Sequence, residues 1–346
     1  MRGKALERAF RRLLPWGREI APTLACVLVL CVTAAAPASA SVLFSSDFET
    51  ADTLQWSFEQ QGGDPNDDIT VQSEVRIQGA YAGKFTVEPG DHFPTVQTTG
   101  ERAEVLNYAM LFQEGDVRWF GWSVYFASGF PTSDDSGTWN VFTQWHHNGS
   151  NCSVPLDFAI RDDGSDTRRR MVLTSRTGTV STTTCSLTGE EFDLGLLRTG
   201  EWIRFEAQVG FSADPTVGFV EVYVNDELAL PRTQMATLYM CCPSYLKQGY
   251  YRKANAENTA TLYIDGTTVG TTRADVEQPE ALSVEKTEPG AVSSSPAGIA
   301  CESICGGWFP YGTQVTLTAA PDAHAIFTSW LGACTSERTD TCTLTM

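Results

Sequence analysis

The chain has 346 residues, 42% hydrophobic and 19% charged, with a net charge of −18. That acidity excludes a nucleic-acid binder, which needs a basic surface to displace counterions from phosphates. It keeps an exported protein soluble, and it requires any site for an anionic ligand to be a local basic pocket in an acidic body.

Residues 1–40 read as an export signal. Arg2, Lys4, Arg8, Arg11, Arg12 and Arg18 form a positive start, an apolar run follows from Leu24 to Ala36, and Ala38-Ser39-Ala40 is a small-x-small cleavage site. The run is too short for a comfortable membrane span. A secreted mature protein, with no membrane segment after cleavage, is expected. Cys26 and Cys31 leave with the signal. The other cysteines are Cys152, Cys185, Cys241, Cys242, Cys301, Cys305, Cys334 and Cys342, an even set that suits disulfides in an oxidising compartment. Cys301–Cys305 and Cys334–Cys342 are natural local pairs, and Cys152–Cys185 closes a loop. Cys241 and Cys242 are adjacent and fit either a vicinal bridge or pairing elsewhere.

Residues 41–274 read as one all-β domain. Short runs rich in Val, Phe, Tyr, Trp and Thr alternate with Gly, Asp, Asn and Pro clusters. Strands are expected over 118–126, 202–209, 219–224 and 261–265, with a turn at Asn225-Asp226 and a stop at Gly266. Strands without helices over this length fit a two-sheet jelly-roll sandwich. Residues 275–281 form a linker. Residues 282–346 form a second, small, disulfide-containing β domain with core candidates Val284, Trp308, Phe309, Val315, Leu317, Phe327 and Trp330. No closing strand is evident at its end.

Three of the strands carry polar residues at i and i+2, which places each pair on one sheet face. They are Arg102-Ala103-Glu104, Gln144-Trp145-His146 and the segment Tyr245 to Arg252, where Lys247, Gly249 and Tyr251 share a face. Buried polar groups are costly unless partnered or functional. One polar groove on a concave sheet is therefore expected. Gly249 reads as a gap that admits a sugar ring. His147 falls on the other face and reads as exposed, and Arg168-Arg169-Arg170 reads as a solvated loop.

These pieces, with Trp119-Phe120-Gly121-Trp122-Ser123, resemble polysaccharide lyases of the heparin-lyase-I-like group, related to the jelly-roll lyases of alginate and glucuronan. The tail, with Gly312-Thr313-Gln314-Val315 and Trp330, resembles the small β-repeats of bacterial surface proteins. The resemblance implies β-elimination on a uronic-acid polymer, an anionic polysaccharide. His146 is the candidate base and Tyr251 the candidate acid, which also suits the base if a cation lowers its pKa. Lys247 and Arg102 supply that cation. Arg102 and Gln144 hold the substrate carboxylate, Glu104 orients Arg102, and Arg252 adds a further substrate contact. The rival readings are a non-catalytic carbohydrate-binding module and a glycoside hydrolase, for which no paired-carboxylate strand motif is found. No cofactor is required for such chemistry. Asp47, Glu49 and Asp265 are candidate ligands for a structural calcium where the sandwich closes. A monomer is expected.

Overall fold

The computed structural model describes residues 41–346 apart from 63–67, 93–99, 132–139, 148–151, 163–168, 182–183, 255–256, 278–279, 287–288, 302–303, 310–312 and 336–338. The export signal and Arg168 therefore lie outside the described residues, as do the side chains of Cys301, Cys305 and Trp308. In chain order the first strands are β1 Val42–Ser46, β2 Phe58–Gln61, β3 Ile69–Gln72, β4 Ala82–Val87, β5 Gly100–Phe112, β6 Val117–Phe126 and β7 Asn140–His147. Then follow β8 Leu156–Asp162, β9 Arg169–Val180, β10 Cys185–Leu196, β11 Trp202–Gly210, β12 Phe219–Val224, β13 Glu227–Gln234, β14 Ser244–Lys253 and β15 Ala260–Gly270.

They form two sheets. The back sheet runs β13-β12-β11-β6-β15-β4-β3, with β1 also paired to β15; the front sheet runs β10-β9-β8-β7-β14-β5-β2. The core between them follows from period-two alternation. In β6, Phe120, Trp122, Val124 and Phe126 all turn inward and are buried. Trp122 stacks on Phe205 of the back sheet, with centroids 5.3 Å apart, and meets Phe158 of the front sheet edge-on at 5.0 Å. Phe120 meets Trp145 of the front sheet at 4.9 Å. Interleaved aromatic rings of this kind fix the spacing and register of the two sheets.

Asn225 and Asp226 both have positive φ and form the two-residue hairpin between β12 and β13. Gly266 does not end its strand. It adopts φ +64° inside β15, and the pairing with β6 shifts between Asp265 and Thr268. A left-handed glycine makes a bulge there, and the strand continues to Gly270. Arg169 is buried at the start of β9, and Arg170 pairs with Asp193. Disulfides join Cys152 to Cys185, Cys241 to Cys242 and Cys334 to Cys342.

After a 3₁₀ turn at Arg273–Asp275, the chain stays on the back sheet. Val276 is buried, and its carbonyl lies over Gly121, where a Cβ would approach to 2.2 Å. Arg204 on the outer face of β11 bonds both Asp226 and Glu280, at 3.2 and 3.0 Å. The tail has β16 Glu280–Glu285, β17 Gly290–Ser295, β18 Ala300–Cys301, β19 Ile304–Phe309, β20 Gln314–Pro321 and β21 Thr341–Thr345. β16 pairs with β19, and the others form a sheet in the order β18-β17-β20-β21. Val284, Phe309, Val315 and Leu317 are in its core as expected, joined by Val292, Ile299, Cys334 and Cys342. Trp330 packs against that core, and Phe327 against Trp330 at 5.4 Å. The final residues are themselves a strand, because Thr341–Thr345 pairs with β20 and brings Cys342 into the core.

Candidate active site

The three polar pairs meet on the outer face of the front sheet. Residues opposite each other on antiparallel strands share a face, and the register sets Lys247 opposite Gln144, Tyr245 opposite His146, and Tyr251 opposite Arg102. Glu104 is the hub. One of its carboxylate oxygens lies 2.7 Å from Lys247 Nζ and 3.6 Å from Arg102 Nη1, and the other accepts a short hydrogen bond from Gln144 Nε2. All four side chains are buried. Two cations against one carboxylate leave this buried cluster with a net positive charge.

Gln60 on β2, which carries no sequence signal of its role, completes the cluster. Its Oε1 accepts from Lys247 Nζ at 2.7 Å and from Arg102 Nη1 at 3.1 Å. The Arg102 guanidinium lies over the Tyr251 ring, 3.7 Å from its centre. Lys247 is 1% exposed. Burial pushes its ammonium down to about 8, against the pull of Glu104. It therefore faces Glu104 and Gln60 rather than bulk solvent.

His146 Nδ1 lies 2.7 Å from the His147 carbonyl oxygen. A carbonyl only accepts, so Nδ1 carries the proton and Nε2 presents its lone pair. Burial first, and then the Lys247 charge, push the imidazole down to about 3. The ring is thus neutral at ordinary pH. Its neighbour Tyr245, two residues before Lys247 on the same face, packs at 5.4 Å. Burial pushes the Tyr245 phenol up, which keeps it protonated.

Some expectations are corrected. Arg252 turns to the opposite face from Tyr251, is 2% exposed and pairs with Glu101 at 2.8 Å. It braces the fold and makes no part of the groove. Gly249 is not an opening. It has φ +136°, and a Cβ there would lie 2.1 Å from the Ala103 carbonyl oxygen, so the residue lets β14 close against β5. His147 is buried, not exposed, with its ring against Tyr239 at 5.1 Å.

The candidate calcium carboxylates hold a loop. Both Glu49 oxygens accept from the Ala80 amide, at 2.8 and 2.9 Å, and Asp265 Oδ2 accepts from Ile77 and Gln78 at 3.0 and 3.2 Å. Asp47 Oδ1 accepts from the Glu49 amide. Among the described residues no group of three or more His, Cys, Asp or Glu side chains is placed so that it could hold a metal ion. Burial raises the Asp265 carboxyl to about 7, against backbone hydrogen bonds from Ile77, Gln78 and Gly266, with the Glu49 charge adding to the rise. Carboxylate oxygens suit a hard cation, but these are engaged by backbone amides.

Residues 48–268 match the polysaccharide lyase family. The chain belongs to that family. This polysaccharide lyase is accordingly a carbon–oxygen lyase acting on polysaccharides. Residues 282–346 match the divergent InlB B-repeat domain. The endo-β-1,4-glucuronan lyase of the fungus Trichoderma reesei superposes with a TM-score of 0.55 at 18% identity, over 68% of this chain and 98% of that one. The alginate lyase Aly36B superposes at 0.41 and 10% identity, over 65% and 95% of the two chains. An alginate lyase of Pseudomonas aeruginosa gives 0.40 and 15%, over 55% and 83%. At these identities the first likeness is one of fold. No curated protein sequence matches the chain.

Proposed function

We propose that this polysaccharide lyase is exported and cleaves a uronate-containing polysaccharide by β-elimination on its front sheet. One observation carries the reading. A positive cluster built around Glu104 sits beside an imidazole of fixed tautomer and a phenol covered by a guanidinium. A module that only binds sugar needs neither of the last two. Within the family, the motifs support a place beside the heparin-lyase-I-like enzymes.

β-Elimination removes the proton at C5 of a uronate and expels the oxygen at C4. Arg102 and Gln144 receive the carboxylate next to C5, so that negative charge accumulating there is stabilised as it forms. His146 Nε2 takes the C5 proton, and Tyr251 donates its phenolic proton to the leaving oxygen. The Arg102 guanidinium offsets negative charge developing on that ring. Lys247 acts through Glu104 and Gln60, holding the three polar strands in register. A structural calcium ion, were one bound, would be held by Asp265 and Glu49 with Asp47, and would take no part in the chemistry.

A panel of polyuronates tests the reading. A lyase yields unsaturated uronates that absorb in the ultraviolet, and growth of that absorbance is expected. New reducing ends without absorbance identify a hydrolase. Retention without any product identifies a binding module.

A further inference from the structure

We infer that Phe58 and Tyr108 form a second sugar subsite, an aromatic platform that holds a pyranose ring of the same polysaccharide away from the scissile bond. The inference rests on the proposed cleavage reading and deepens it.

Large apolar side chains on a mature surface are informative when they gather at a functional face. Phe58 is 50% exposed and Tyr108 46% exposed. Both belong to the β2–β5 edge of the front sheet. Phe58 precedes Gln60 by two residues, so it shares the groove face with the amide that bridges Lys247 and Arg102. Tyr108 touches Tyr245, with ring centroids 4.4 Å apart, and Tyr245 in turn packs on His146. The patch is thus continuous with the reactive cluster on both sides.

The two rings are held rather than loosely exposed. The Ser57 amide donates to the Leu106 carbonyl at 2.8 Å, and the Ala109 amide donates to Ser57 Oγ at 3.2 Å. These bonds tie the residues flanking Phe58 and Tyr108 to each other. The Tyr245 hydroxyl donates to the Tyr108 hydroxyl at 3.4 Å, which fixes the plane of the exposed ring.

The register names the occupant. Phe58 lies opposite Leu106, Leu106 opposite Lys247, and Lys247 opposite Gln144. A polymer lying across the strands with one carboxylate at Gln144 runs on to Phe58 about three strand spacings away, roughly 14 Å. That span takes in more than one sugar unit. A pyranose ring presents an apolar face of C–H groups and a rim of hydroxyls. Flat aromatic faces suit the first, and the Tyr108 hydroxyl suits the second. A flat aromatic surface of this kind makes no demand for a carboxylate, so it adds affinity without adding uronate selectivity.

The test compares substrates by length. In Tyr108→Ala and in Phe58→Ser, KM for polymer is expected to rise about threefold to tenfold, the worth of a lost aromatic contact. Turnover at saturation is expected to stay within about twofold of wild type, because neither ring touches the reacting atoms. The shortest oligosaccharide that is still cleaved, too short to reach the platform, is expected to show no change in KM. Tyr108→Trp is expected to keep or lower KM. Denaturation midpoints monitored alongside separate a folding defect from a binding one. An unchanged KM for polymer in both variants, on a polymer that wild type cleaves, overturns the inference. Equal rises on long and short substrates also overturn it. If wild type cleaves no polyuronate, the cleavage reading fails on its own. The platform is then judged by retardation of the protein in gels that contain polyuronate. Tyr108→Ala must weaken that retardation, and equal migration of wild type and variant rejects the platform.

Discussion

Gly249→Ala is the sharpest probe of how the fold builds the site. The new methyl group would lie 2.1 Å from the Ala103 carbonyl oxygen, where contacts under 3.0 Å are essentially never seen, so the strands must part by about 1 Å. The φ of +136° adds strain for any residue with a Cβ. Backbone strain of about 1–3 kcal/mol and overpacking of about 1–3 kcal/mol together cost about 2–6 kcal/mol. A domain stable by about 10 kcal/mol, the middle of the usual range, remains folded with less in reserve. The effect on chemistry is larger in proportion. β5 carries Arg102 and Glu104, β14 carries Lys247 and Tyr251, and the guanidinium sits 3.7 Å from the Tyr251 ring. Displacement of reacting groups by about 1 Å costs about a hundredfold in rate. The assay measures the urea midpoint and lyase turnover on the same preparation. Gly189→Ala is the control, because a Cβ there meets nothing nearer than 3.4 Å. A Gly249→Ala protein with wild-type midpoint and turnover would refute the reasoning.

Tyr251→Phe is expected to lower turnover by at least about a hundredfold with little change in the denaturation midpoint, and wild-type cleavage by that variant would remove the phenol from the mechanism. Arg252→Met leaves the Glu101 carboxylate buried without its guanidinium. It should cost about 3–5 kcal/mol in chemical denaturation, while KM of the folded enzyme stays unchanged; the opposite pattern would return Arg252 to the groove. The Lys247 ammonium, held down near 8 by burial, is charged below that pH and neutral above it. kcat/KM is therefore expected to fall as pH rises through about 8, and Lys247→Met to lose that limb along with most of its activity; a profile flat to pH 10 contradicts this. Added calcium is expected to raise Tm and a chelator to lower it, and Asp265→Asn to abolish the response; identical melting in all conditions rejects the cation site.

The polar strands of the groove were legible because period two is a local property. Tyr245, Lys247 and Tyr251 share a face in the sequence and in the fold alike. The same rule excludes Arg252, one residue after Tyr251, whose charge invites a substrate role that its position forbids. Gln60 was not legible. Its bond to Lys247 spans 187 positions, and nothing in Phe58-Glu59-Gln60-Gln61 announces a partner that distant. Glycines misled twice for one reason. Gly249 and Gly266 mark places where backbone approaches backbone or bulges, and composition cannot separate these from a turn or an opening. Buried His147 shows a further limit. Alternation assigns a side but does not say what covers it, and Tyr239 comes from a loop far along the chain.

The anchorage of Val276 over Gly121, with Arg204 clasping Glu280, gives the molecule a handle and a working edge. The tail leaves from the back sheet, whereas the candidate site residues belong to strands of the front sheet. A tail leaving from the front sheet would instead have set its first residues beside the candidate site.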